Sequence, residues 1–489
     1  MKNIKILLGL GITLLLTSSA QATLKLDKVT LKGNMQVKYT KLPPSVDTIK
    51  EVFTEGMFYG RVRTNMFMLN WRKDNYPAGA LMDNKAMGIG GSLIYKTAPL
   101  SGISTTLGVY TSQNPSFWRE DYTDVGSVKS GKDTFSRNNA LSDDWGMTVL
   151  GQAYLQYDVS KTSIYLGRQL FESVFTKSND TKMIPNTFDG ATATIKDIDK
   201  TTIKIAYLHN QKLRDHTTSH DVIAFAGGSA PNIWSENDDA SVNRNLTVDR
   251  IGNDNRLYIG SITNKSIKNL KLNLSYAVVP DVLSNLVLES HYTIGVGDDW
   301  KIVPGFRYMQ QFDNLHANYN VANVLTKHDD YDDPTSLDTN LIALRVDFKN
   351  KAFLGRLGYS SVADKADIVA PWRGFPTGGF TRAMAQYNWQ ANTKAYMARV
   401  GYDFGKANMM EGFSVMMRYV IQDMDDDKPG VFADSNVLHV DIRQNIGKNL
   451  EAKFRFGYVD YDDNTYDING AIKADLSYSE YRFELNYLF

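Results

Sequence analysis

Ten arginines occupy alternate positions in extended, aromatic-rich segments, so their side chains are predicted to lie on the polar face of a sheet. Arg307, for example, stands between Phe306 and Tyr308. A guanidinium group stays charged at physiological pH, and its planar fork binds carboxylates bidentately. A series of such groups along a passage would attract small anions and hand them from site to site. The candidates are Arg61, Arg63, Arg307, Arg345, Arg356, Arg399, Arg418, Arg443, Arg455 and Arg482.

Acidic residues on the same predicted face offer these arginines a second role. The carboxylates predicted to lie on this polar face, which would point to the inside of a closed sheet, are Glu289, Asp347, Asp403, Asp441 and Glu484. They could neutralise the arginines as a structural network of ion pairs. The pattern favours an anion path, but it leaves open a packed polar interior, and single arginines could serve both.

Catalytic and metal-binding chemistry finds little support. None of the seven histidines has the neighbours of a catalytic triad at readable spacing, and the absence of cysteine excludes a thiol nucleophile or thiolate ligand. His439 is predicted to face inward beside Asp441 and Arg443, where hydrogen bonding is its expected role. The acidic runs KHDDYDDPTSLD and DMDDDKPG lack the ligand spacing of a helix-loop-helix calcium site. We therefore predict no enzyme, no metal site and no cofactor.

The closing segment, YSEYRFELNYLF, shows what kind of element carries the arginines. Read with a period of two, it has one apolar, aromatic face and one charged face. The apolar face comprises Tyr481, Phe483, Leu485, Tyr487 and Phe489, and the polar face comprises Glu480, Arg482, Glu484 and Asn486. This pattern fits both a soluble antiparallel sheet and the last strand of a membrane β-barrel. The rest of the chain has to separate the two.

Similar alternating segments continue from residue 57 to the end of the chain. They come in pairs joined by very short turns, such as Asn350-Lys351, and long polar segments such as 213–255 and 313–338 separate the pairs. Outer-membrane barrels place short turns on the periplasmic side and long loops outside, whereas sandwiches and propellers mix their loop lengths. The sequence therefore predicts an all-β fold, a transmembrane antiparallel β-barrel of about 18 strands.

The N-terminus agrees with export. An apolar run from Ile6 to Leu16 follows two lysines and precedes the small-x-small site Ala20-Gln21-Ala22, so residues 1–22 are predicted to be a signal peptide. No later stretch is long and apolar enough for a membrane helix. A mature chain embedded in a membrane would therefore have to be a closed barrel.

The mature chain is expected to have two parts. Residues 23–55 are predicted to be a periplasmic lead-in, with a short strand in VTLKGNMQVKYT as the less favoured interpretation, and residues 56–489 form the barrel. The 54 basic and 54 acidic side chains give zero net charge, so nucleic-acid binding has no support.

Residues 163–190, SIYLGRQLFESVFTKSNDTKMIPNTFDG, resemble the OprD-type porins of Gram-negative bacteria. The resemblance rests on Asn179-Asp180, on Lys182-Met183-Ile184-Pro185 and on Thr187-Phe188-Asp189-Gly190. The YGRVRTN run at 59–65 and the strand pair at 87–113 are also similar to the family's first three strands.

The resemblance implies an eighteen-stranded barrel, a basic ladder that guides carboxylates, and an inward third loop near 171–186. Asn179, Asp180, Lys182 and Pro185 would then narrow the pore. It also implies recognition of the terminal aromatic residue by the barrel-assembly machinery.

Together these features predict a passive outer-membrane channel for small hydrophilic solutes, favouring carboxylate-bearing or anionic ones such as amino acids or organic acids. Two alternatives stay open: an adhesin-like barrel acting through its outer loops, and a nonspecific porin. The expected surroundings are outer-membrane lipid and lipopolysaccharide of a Gram-negative bacterium, and the expected state is a monomer or loose trimer.

Overall fold

The computed structural model describes most of the chain. The described residues are 29–32, 35–39, 42–73, 81–225, 242–324, 330–384 and 386–489. The predicted signal peptide, residues 1–22, lies outside them, as do residues 226–241 of the longest insertion. Within the described ranges, every helix is too short or too polar to cross a membrane.

A small hairpin and a short helix precede the barrel. Strands β1 (Val29–Leu31) and β2 (Val37–Tyr39) pair antiparallel, and helix α1 (Ile49–Thr54) follows them. The expectation of a lead-in without strands is therefore wrong here. Strands of three residues are too short to show a readable period.

Eighteen antiparallel strands close into one barrel, and the last strand pairs with the first. The short strand β13 continues β12, since both pair with β14, and the two count as one. The barrel strands are β3 (Met57–Trp71), β4 (Asn84–Lys96), β5 (Ile103–Gln113), β6 (Gly146–Val159), β7 (Thr162–Gln169), β8 (Thr187–Ile195), β9 (Thr201–Lys212), β10 (Leu257–Asn264), β11 (Leu270–Val279), β12 (Leu283–Tyr292), β13 (Ile294–Val296), β14 (Trp300–Asp313), β15 (Thr339–Lys349), β16 (Phe353–Val362), β17 (Lys394–Asp403), β18 (Phe413–Asp423), β19 (Ser435–Ile446), β20 (Leu450–Tyr461) and β21 (Tyr478–Leu488). The predicted fold and strand number are confirmed.

The alternation of side chains explains why these segments form a membrane barrel. In β15, Ile342 and Leu344 are 41% and 46% exposed on the outer surface, whereas Leu341 and Ala343 are fully buried. Successive side chains of a strand point to opposite faces, so the outer face is apolar and the interior collects polar groups.

The closing strand follows the predicted division of faces. Tyr487 and Phe489 lie exposed on the lipid side, while Arg482, Glu484 and Asn486 are buried on the inner side. The closing strand β21 therefore pairs with β3 in a register that keeps its polar residues inside the barrel and its apolar residues outside.

Short turns gather at the periplasmic end of the barrel and most long loops at the other. Two of the outer loops contain the short helices α2 (Arg137–Ala140) and α3 (Val248–Ile251). One outer connection departs from the predicted alternation, because only residues 280–282 separate β11 from β12. The expectation of long loops at every outer position is wrong there.

Among the outer loops, the third and the seventh fold back into the barrel interior. The third loop (residues 170–186) connects β7 to β8, and the seventh loop (residues 363–393) connects β16 to β17. The backbone N–H of Lys177 donates to the carbonyl of Trp372 at 2.9 Å, which joins the two loops. The family resemblance implied an inward third loop, whereas the inward seventh loop was not predicted.

A glycine permits the closest approach between these loops. A Cβ atom on Gly374 would lie 2.1 Å from the carbonyl oxygen of Phe175, well inside the contact distance of two heavy atoms. Only a residue without a side chain fits at this point.

Candidate functional site

Arg61 and Arg63 lie inside the barrel at its seam. Arg61 forms an ion pair with Asp180 of the third loop. Arg63 contacts the same carboxylate at 2.9 Å and also pairs with Glu484 of the closing strand. All four side chains are buried. This ion cluster fastens the third loop to the barrel wall.

The other predicted constriction residues have different surroundings. The Lys182 ammonium lies 4.3 Å from the centre of the Phe67 ring and 3.9 Å from a carboxylate oxygen of Asp133. The Asn179 amide donates to the carbonyl of Arg373 in the seventh loop at 3.4 Å. Pro185 is buried and directly follows the loop's apolar anchor in the chain.

That anchor is formed by Met183 and Ile184, both fully buried against the inner wall. Gly88 on β4 leaves room for it, because a Cβ atom there would lie 2.5 Å from the Met183 side chain. The apolar pair and the ion cluster therefore hold the same loop from two sides.

Three of the predicted arginines stand side by side on adjacent strands. In the register of the sheet, Arg356 lies opposite Arg399, and Arg399 lies opposite Arg418. Arg356 is held by Asp347 through bonds of 2.5 and 2.8 Å. We call these three residues the arginine row.

Among the described residues, no carboxylate forms an ion pair with the other two members of the arginine row. Arg418 donates to the backbone carbonyl of Arg382 in the seventh loop. Within the part of the chain that the structure describes, Arg399 makes no ion pair and no side-chain hydrogen bond. Like charges directly opposite one another are unfavourable in a sheet. Such a row therefore favours a counter-anion beside it.

A second group of charges lies beside the arginine row. Arg455 contacts Asp441 at 3.2 Å, and Arg482 contacts Glu480 at 2.6 Å. His439 bonds to Asp441 at 2.8 Å, in agreement with the hydrogen-bonding role predicted for it. These arginines are neutralised by neighbours on their own or adjacent strands.

Arg307 and Arg345 hold the seventh loop in place. Arg307 binds Glu289 at 2.8 Å and donates to the carbonyl of Pro376 at 2.6 Å. Arg345 donates to the carbonyl of Gly379 at 2.8 Å. The structural network that the sequence left open is thus present in this part of the wall.

Arg443 and Asp403 lie apart from these groups. The Arg443 side chain is 47% exposed, and its nearest carboxylate, Glu451, is 4.0 Å away. Asp403 pairs with Lys406, only three residues further along the chain, at 3.0 Å. The ten arginines therefore do not form one uniform ladder.

Several outer loops, among them the third and the seventh, line a central cavity of 520 Å³ together with the barrel wall. Among the described residues that line it, eight are basic and three are acidic. The basic residues are Lys129, Lys132, Lys182, Arg214, Arg382, Arg418, Arg455 and Arg482, and the acidic residues are Asp133, Asp441 and Glu480. The excess of positive charge makes this cavity the candidate functional site.

The family model of outer membrane porins of the OprD family matches residues 122–460 of this chain. This range covers well over half of the sequence. The chain belongs to the OprD family. Proteins of this family are outer membrane porins of Gram-negative bacteria, which act as channels for small solutes and not as enzymes.

Solved porin structures share the fold of this OprD-family chain. OccAB3 of Acinetobacter baumannii matches with a TM-score of 0.67 and 16% identity, over 89% of this chain and 100% of its own. A BenF-like porin from Pseudomonas fluorescens Pf-5 matches with a TM-score of 0.66 and 13% identity, over 90% and 99%. OpdK of Pseudomonas aeruginosa, solved with vanillate, matches with a TM-score of 0.62 and 13% identity, over 88% and 98%. No curated protein matches the sequence.

Sequence reasoning about this OprD-family porin missed half of the basic residues in the central cavity. Of the eight, Arg418, Arg455, Arg482 and Lys182 were candidates. The missed ones are Lys129, Lys132, Arg214 and Arg382. All four are in outer loops, where no period shows which way a side chain points.

Proposed function

We propose that this porin is a passive channel that favours small carboxylate-bearing or anionic solutes, such as amino acids or organic acids. The observation that carries the proposal is the central cavity, with its eight basic and three acidic residues. A narrow, water-filled space with this excess of positive charge concentrates anions and repels cations.

The arginine row supports the same conclusion. Arg399 and Arg418 keep their charge without a carboxylate partner in the described part of the chain, so they can bind one from a passing solute. Arg307, Arg345 and Arg356 are occupied by carboxylates or loop carbonyls, and we assign them to the frame of the passage. The vanillate named with OpdK carries a carboxylate, which is consistent with this solute class.

Single-channel recording in planar bilayers across a salt gradient tests the proposal. The wild type should prefer chloride to potassium. A solute charge about 4 Å from a guanidinium gains about 1 kcal/mol in water, so Arg418→Gln should lower the anion preference about fivefold. Arg443→Gln removes the same charge from a half-exposed position outside the cavity and should change little.

Other results would reject the anion path. If the wild type prefers cations, or if Arg418→Gln and Arg399→Gln together leave the preference unchanged, the arginines serve only to hold the wall together. Uptake rates that follow solute size and not charge would identify a nonspecific porin. Absence of conductance would favour the adhesin-like alternative.

The proposal extends to the surroundings of the barrel. Tyr487 and Phe489 are exposed near the periplasmic rim, where a lipid girdle and recognition by the barrel-assembly machinery are expected. Contact with lipopolysaccharide and a monomeric or loosely trimeric state belong to the same proposal. Light scattering of the detergent-solubilised protein determines the state.

A further inference from the structure

The N-terminal hairpin, β1 and β2, reaches into the periplasmic mouth of the barrel. The Gln36 amide donates to the carbonyl of Ser178 in the third loop at 2.8 Å and to the carboxylate of Glu172 at 3.1 Å. The carbonyl of Met35 accepts a bond from Arg61 at 2.8 Å. The hairpin is thus seated directly against the loop that narrows the passage.

This segment lies outside residues 122–460, the range that the family model matches. Helix α1, which follows the hairpin, is attached to the barrel, because the N–H of Ala98 in a periplasmic turn donates to the carbonyl of Val52 at 3.0 Å. The rings of Tyr39 on the hairpin and Tyr59 on the wall lie 5.2 Å apart. The hairpin therefore contacts both the third loop and the barrel wall.

Between the hairpin and the barrel wall lies a second cavity, of 400 Å³. Its basic groups are Lys32 and Lys38 on the hairpin and Lys96 and Lys204 on the wall, against the single acidic residue Glu172 among the described lining. Lys96 is buried and bonds to the amide oxygen of Gln156 at 2.7 Å. Amides and tyrosine hydroxyls fill most of the remaining wall.

We propose that this second cavity is a binding site for hydroxylated carboxylates, with the N-terminal hairpin as one of its walls. The lysines supply the charge that holds a carboxylate. Glutamine amides and tyrosine hydroxyls both donate and accept hydrogen bonds, which suits a solute with several hydroxyl groups. The tyrosine faces cover the apolar side of such a solute.

The second cavity is separate from the proposed anion path, because it lies on the periplasmic side of the third loop and has its own lysines. Its occupancy can be measured whether or not the central cavity selects anions. A solute that has passed the third loop would meet this site before it leaves the barrel.

Blockage of single channels by glucuronate added on the periplasmic side tests the proposal with the full-length protein. Lys38→Gln and Lys96→Gln should each weaken the block about tenfold, the usual effect of losing one charged hydrogen bond. Lys50→Gln, on the exposed face of α1, is the matched control and should leave the block unchanged. Glucose, which has hydroxyl groups but no charge, should block at least tenfold more weakly than glucuronate.

Lys38 is exposed on the hairpin, so its replacement keeps the test informative if the buried Lys96 variant does not fold. Equal block of the wild type and Lys38→Gln, or equal block by glucuronate and glucose, would overturn the inference. Arg418→Gln separates the two proposals. If it changes ion preference while Lys38→Gln has no effect on block, only the periplasmic site is rejected. If Lys38→Gln weakens the block while Arg418→Gln and Arg399→Gln together leave ion preference unchanged, only the anion path is rejected.

Discussion

Replacement of Asp180 by asparagine is expected to loosen the third loop without unfolding the barrel. The carboxylate is buried and pairs with both Arg61 and Arg63. Asparagine keeps the volume but removes the charge. Among the described residues, the carboxylate that then stays in the cluster is Glu484, which pairs with Arg63 and leaves Arg61 without its ion-pair partner. Removal of one partner from a buried ion pair costs about 3–5 kcal/mol.

This loss of free energy should weaken the attachment of the third loop but not the stability of the barrel, because the closed sheet is held by its own hydrogen bonds. Each 1.4 kcal/mol changes an equilibrium tenfold, so a loss of about 3 kcal/mol raises the detached population of the loop roughly a hundredfold. Met183 and Ile184 still pack against the wall and oppose full release. We expect a larger and noisier single-channel conductance. The temperature at which the barrel unfolds, read from its change of mobility on gels after heating, should stay the same.

Asp403→Asn provides the matched control, since that carboxylate pairs only with the exposed Lys406 within the described part of the chain. Its replacement should leave conductance and noise as they are. If Asp180→Asn also behaves like the wild type, the ion cluster does not hold the third loop. Global unfolding of Asp180→Asn would equally refute the separation between loop and barrel stability.

Two further outcomes follow from the seventh loop and from the titration of the central cavity. Gly374→Ala would place its Cβ atom against the carbonyl of Phe175 and should increase the conductance by separating the two inward loops, whereas Gly260→Ala, with no atom within 4 Å, should be silent in the same recordings. Burial lowers the pKa of Lys182 to about 7 and that of Lys129 to about 8. Both lysines gain charge as the pH falls, so anion preference should rise between pH 9 and pH 6 in salt-gradient recordings. Lys182→Met should reduce that rise. A preference that does not change with pH would show that these two lysines do not contribute to anion selection.

The sequence predicted the barrel well because a membrane strand obeys a local rule. β10 at Leu257–Asn264 and β20 at Leu450–Tyr461 have the bounds that alternation alone indicates. Every spanning strand must present apolar groups to lipid at every second position, and this requirement is visible in the sequence. The rule fails for β1 and β2, whose three residues each are too few to show a period.

The inner face was predicted with similar success, but the use of each arginine was not. Period two placed Arg307, Arg399 and Arg482 correctly inside, since inward and outward positions alternate. Whether an inward arginine is neutralised depends on which residue stands beside it across strands or in a loop. Arg399 and Arg307 look alike in the sequence, yet only Arg307 meets a glutamate and loop carbonyls.

The sequence by itself determined the strands, the division of their faces and the resemblance to a porin family, because all three are written in local patterns. Only the tertiary structure decided that the seventh loop turns inward, that Asp180 joins Arg61 and Arg63, and that the hairpin enters the periplasmic mouth. These contacts join residues far apart in the chain, and loops carry no period that would show their direction. The strands that form the wall of the passage can therefore be predicted from the sequence. The loops that narrow the passage take their positions only in the folded protein.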